Sequence, residues 1–82
     1  MLAIILNAVV RAQRGTTRHL GVGDVGEVTR LVIKEDGGLF FLQRYDARDR
    51  FAGDTCHLTL YEARTQAEYE YELLGGWTTG RR

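Results

Sequence analysis

The sequence predicts an α+β fold: a four-stranded, mostly antiparallel meander with one C-terminal helix packed on one face. Three observations carry this expectation. Residues 2–12 separate odd from even positions by polarity. A β-branched run and an aromatic run flank the turn signal Asp36-Gly37-Gly38. Thr59 opens a segment whose apolar residues recur at steps of three and four. A chain of 82 residues makes one domain, 1–82. It buries about 60–65% of its unfolded surface, so its core is thin and leaves little room for an enclosed pocket.

In the first element Leu2, Ile4, Leu6, Ala8, Val10 and Ala12 fall on one face. Asn7, Arg11 and Gln13 fall on the other with Ala3, Ile5 and Val9. Period 2 fits a strand with one apolar face, and a short helix is the alternative because Leu, Ala and Arg favour one. Residues 14–26 carry Gly15, Gly21, Gly23 and Gly26 and read as turns. Val28, Thr29, Val32 and Ile33 mark a strand over 27–34, which pairs through Asp36-Gly37-Gly38 with a strand over 39–45. After a polar turn at 46–50, residues 51–57 return as the fourth strand.

Thr59 then caps a helix. Its hydroxyl is placed to accept the Glu62 N–H, and the Glu62 carboxylate to reach back, at capping-box spacing. Leu60, Ala63, Ala67, Tyr71 and Leu74 form the buried stripe, and small Ala63 and Ala67 let the helix lie close on the sheet. Gly75-Gly76 reads as the helix stop, Trp77 as a lid folded back on the core, and 78–82 as a frayed tail beyond the ordered 1–77.

Composition narrows the function classes. A single cysteine excludes an internal disulfide and a Cys-rich zinc cage. The apolar start has no basic residue before it, so it reads as core rather than signal, and no run approaches a membrane span. The expectation is a soluble, cytoplasmic protein. Net charge is zero, and all but Lys34 of the 11 basic residues are arginine. Guanidinium suits phosphate, but a neutral balance favours a codon-composition origin over a nucleic-acid footprint.

Gly53-Asp54-Thr55-Cys56-His57, then Leu60, Glu62-Ala63, Gln66-Ala67, Glu70-Tyr71 and Trp77, resembles a set of small uncharacterised bacterial proteins. Those proteins carry a Gly-Asp-Thr-Trp-His strand followed by a Leu-x-x-Ala-x-x-Gln-Ala-x-x-Glu-aromatic helix. Tyr45-Asp46 partly fits the turn entering that strand, so the resemblance spans roughly the C-terminal half. It implies a fold and no reaction. Cys56 stands where those proteins have tryptophan, which reads as a core aromatic site filled by a smaller apolar residue.

Candidate chemistry is sparse. Gly21-Val22-Gly23-Asp24-Val25-Gly26 matches G-x-G-x-x-G, but a β-branched run follows where a dinucleotide site needs a helix. Cys56 and His57 are adjacent on a strand and point to opposite faces, so they make no dyad. His19, His57 and Cys56 lack metal-ligand spacing. No catalytic residue, cofactor or metal is expected.

The leading expectation is a non-enzymatic protein–protein interaction module of accessory, inhibitor or immunity type, self-associating as a two-fold dimer. Phe41 and Tyr45 on the sheet, with Glu68, Tyr69 and Glu72 on an acidic helix face, are its candidate contacts. The alternative is nucleic-acid binding by Arg11, Arg14, Arg18, Arg30 and Arg44 around a stacking aromatic. A thiol enzyme using Cys56 ranks third.

Overall fold

The computed structural model describes residues 3–13 and 27–79. Among them, five strands form one sheet: β1 (Ala3–Gln13), β2 (Val28–Asp36), β3 (Leu39–Asp46), β4 (Phe51–His57) and β5 (Tyr71–Thr79). The helix α1 (Leu60–Glu70) lies between β4 and β5. Strand order is β4-β3-β2-β1-β5, and every neighbouring pair is antiparallel. The fold is α+β, with one strand more than the sequence predicts. Because the pairs alternate in direction, β4 and β5 run the same way at opposite edges. Strands of like direction cannot be joined by a hairpin, and α1 supplies the crossover.

Residues 3–13 form a strand rather than the alternative helix. The β2–β3 connection is the two-residue loop Gly37-Gly38, both at positive φ (62° and 85°), as the twist-matched type I′ hairpin demands. At the β3–β4 turn the Asp46 carboxylate replaces missing backbone partners. Its Oδ1 accepts from the N–H groups of Arg48 (2.9 Å) and Arg50 (2.8 Å), and its Oδ2 accepts from Arg50 Nε at 2.8 Å. The capping box forms with one change. Thr59 Oγ1 accepts from Glu62 N at 3.0 Å, while Glu62 Oε1 accepts from Leu58 N at 3.3 Å, one residue before the cap.

The end of the helix corrects the sequence reading. α1 stops at Glu70, and Tyr71 is extended with φ −138° and ψ 148°. Residues 71–79 pair with β1 in place of a continued helix and a frayed tail. Tyr71 with Leu74 suits a helical stripe and Tyr71 with Leu73 a period-2 alternation; the second edge of β1 decides between them. Pairing there satisfies that edge and brings Leu73 and Trp77 against Ala8 and Val10. Gly75-Gly76, read as a helix stop, makes a bulge instead: Ala8 pairs with Trp77 and Val9 with Leu74, leaving both glycines out at φ 80° and 75°. Residues 80–82 lie outside the described residues.

The core fills the space between α1 and one sheet face. Leu31, Ile33, Leu42 and Ala8 meet Ala63, Ala67 and Tyr71, with Leu6, Val10, Phe40, Leu60 and Trp77 packed around them. Trp77 also ties β5 to the helix, its Nε1 donating to Glu68 Oε2 at 2.8 Å.

Candidate functional site

Alternation along β3 puts Phe40, Leu42 and Arg44 under the helix and Phe41, Gln43 and Tyr45 on the opposite face. Arg44 is therefore core. Its Nε and Nη2 each donate to a Glu70 carboxylate oxygen at 2.9 Å, Nη1 donates to the Leu42 carbonyl at 3.1 Å, and Nη2 also reaches Thr55 Oγ1 at 3.3 Å. Neither side chain is exposed beyond 4%. Gln66 Nε2 donates to Glu70 Oε2 at 2.5 Å, and Thr55 Oγ1 hydrogen-bonds His57 Nε2 at 2.8 Å. Burial, reinforced by the Glu70 carboxylate and opposed by Arg44, pushes the neighbouring Tyr71 phenol up to about 12.

A bulge in β4 aims the strand at this network. Gln43 pairs with Asp54 and Tyr45 with Phe51, so Ala52 and Gly53 together stand opposite Arg44. Thr55 and His57 then share the helix side with Leu42 and Phe40, while Asp54 and Cys56 share the open side with Gln43 and Phe41. Cys56 is exposed, which corrects its reading as a core position. It stands on the opposite face from His57, as adjacent strand residues must. Among the described residues no three His, Cys, Asp or Glu side chains are grouped to hold a metal ion.

The uncovered face carries a continuous cross-strand row, Leu74–Val9–Arg30–Tyr45–Phe51, one residue from each strand. Its flanks are apolar and exposed: Leu74 at 57%, Val9 at 51% and Phe51 at 48%. Its centre is a set of mutual side-chain contacts. The Arg30 guanidinium lies 4.4 Å from the Tyr45 ring centroid, and Tyr45 meets Phe51 edge-on at 5.9 Å. Arg30 Nη2 is held by Asp49 Oδ1 at 2.7 Å, and the Tyr45 hydroxyl donates to Gln43 Oε1 at 2.9 Å. Asn7, Val32, Gln43 and Asp54 form the next row, with Val32 buried at its centre, and Lys34, Phe41 and Cys56 form the row after it.

The predicted site residues are thereby redistributed. Phe41 and Tyr45 share the open face. Glu68 and Tyr69 are exposed on α1, but Glu72 belongs to β5 and lies 3.8 Å from Arg11, so the three do not make one helix surface. Of the predicted arginines, Arg11 and Arg30 are at the surface and each faces a carboxylate. Arg44 is excluded as a nucleic-acid contact by its burial. Arg14, Arg18, His19 and the G-x-G-x-x-G segment lie outside the described residues.

The Arg44–Glu70 pair escapes the sequence reading, though two signals point to it. Arg44 has the parity of core Leu42, and Glu70 falls seven residues after Ala63 on the inner stripe. Gly53, Thr55, His57, Gln66, Glu70 and Tyr71 gather in and around this network.

Among the described residues, no helix is long and apolar enough to cross a membrane. Comparisons with protein-family models, curated proteins and solved structures find no match to this chain.

Proposed function

We propose that this protein is a small, non-enzymatic protein–protein interaction module working through the sheet face that α1 leaves uncovered, most simply as a two-fold dimer. The observation that carries this reading is the Leu74–Val9–Arg30–Tyr45–Phe51 row: exposed apolar flanks around a pre-ordered Arg–Tyr–Phe stack. Tyrosine and arginine are the side chains that anchor interfaces, and these already contact one another without a partner. Paired charges of both signs, Arg11 with Glu72 and Arg30 with Asp49, suit a self-complementary surface better than a polyanion. The single exposed cysteine suits a reducing cytoplasm.

Light scattering on size-exclusion chromatography, at low and high salt, tests the dimer. We expect a mass of twice the chain, reduced to one chain in Val9→Lys with unchanged circular dichroism. A monomer at every concentration overturns self-association across this face.

Nucleic-acid binding is the second reading, favoured by one observation: Arg30, Lys34, Phe41 and Tyr45 share a face. Salt-sensitive retention on heparin resin that is lost in Arg30→Ala and Lys34→Ala supports it, and no retention eliminates it.

A further inference from the structure

Between α1 and the edge strand β4 runs a shallow groove of about 510 Å³ lined by His57, Tyr61, Glu62, Thr65, Gln66 and Tyr69. Tyr61, Thr65 and Tyr69 follow one another at four-residue steps, so they leave one helix face, the two tyrosine Cα atoms about 12 Å apart. Both are far more exposed than packing requires, at 77% and 73%. The groove floor is tied into the buried network. Gln66 Nε2 is committed to Glu70, which leaves the acceptor Oε1 of that amide for a ligand, and His57 Nε2 is committed to Thr55. Glu62 adds a carboxylate, and among the described residues no arginine or lysine lines the groove.

Two aromatic faces, a carboxylate and an amide oxygen together favour a cation that donates hydrogen bonds. An acidic segment meets Glu62 with like charge, and a purely apolar one supplies no donor to the Gln66 amide oxygen. We propose that this groove binds an arginine or lysine side chain presented by an extended segment of a partner protein, lying along the rings of Tyr61 and Tyr69 and facing Glu62. The site rests on the reading of the protein as an interaction module but not on the sheet face.

Fluorescence polarisation with a fluorescein-labelled Gly-Arg-Gly-Arg-Gly peptide, against the same peptide with glutamate for arginine, tests it. The basic peptide is expected to bind and the acidic one not. Tyr61→Ala and Tyr69→Ala should each weaken binding about three-fold, and the double variant about ten-fold, the scale of exposed cation–π contacts. Glu62→Gln, which retains a capping side chain, should weaken it as well. Amide shifts in NMR titration should centre on His57, Thr65 and Gln66. Absence of basic-peptide binding, equal binding of the acidic peptide, or undiminished binding by a folded double variant overturns the proposal. Val9→Lys, which reads the sheet face, should bind the peptide as the unaltered protein does, so the two readings fail separately.

Discussion

Arg44 and Glu70 form a bidentate ion pair sealed between the sheet and the helix, with both contacts at 2.9 Å. The pair ties α1 to β3 through two parallel hydrogen bonds. Gln66 and Thr55 occupy further bonding positions on the two charges, so both ions enter the core with partners.

Removing one partner strands the other as a buried charge. Glu70→Ala or Arg44→Ala is expected to lose about 3–5 kcal/mol of stability in urea unfolding. The double variant Arg44→Met with Glu70→Leu should lose less than either single one, since hydrophobic replacement removes both desolvation costs. A double variant as unstable as the sum of the singles would show that the pair contributes no coupling.

Alkaline pH should unfold the protein through Tyr71. Its phenol keeps its proton to about 12 in the folded state, against about 10 in the unfolded chain. The associated stability is whole below pH 10 and is lost as pH rises from 10 towards 12, because the unfolded state releases the proton first. Ultraviolet titration of tyrosinate should show one late phenol that disappears in Tyr71→Phe, and that variant should have a flatter stability profile over the same window.

Gly75 and Gly76 are conformational requirements of the β5 bulge. An added Cβ meets nothing within 4 Å at either position, so any cost of substitution is backbone strain. Gly75→Ala should lose about 1–2 kcal/mol, and Gly75→Asn less, because asparagine tolerates positive φ better. Equal losses from the two substitutions, measured by thermal unfolding, would locate the effect elsewhere.

Ending the chain after Glu70 should abolish folding. That truncation takes Tyr71, Leu73 and Trp77 from the core and strips β1 of its outer partner. Circular dichroism is expected to show no cooperative transition. A cooperative fold in the truncated chain would restore the reading in which the helix closes the domain.

The local elements are legible because their signals lie within a few residues. Gly37-Gly38 dictates its hairpin, Thr59 with Glu62 dictates a helix start, and the parity within residues 30–36 and within 39–46 dictates which side chains share a face. That parity separates Phe41 and Tyr45 from Phe40. Applied one step further, it removes Arg44 from the surface set, since Arg44 goes with Leu42 into the core.

The α+β class, the β1–β4 meander and the start of α1 are all present in the sequence, because propensity, turn chemistry and hydrophobic period act over one or two turns of chain. The course of the chain after Glu70 is settled by tertiary contacts instead. The stretch from Tyr71 to Trp77 satisfies a helical stripe and a strand alternation alike. The deciding partner, the second edge of β1, lies about sixty residues earlier in the chain, where no local pattern registers it. The same distance hides the proposed interaction surface: Leu74, Val9, Arg30, Tyr45 and Phe51 become one row only when five strands are laid side by side.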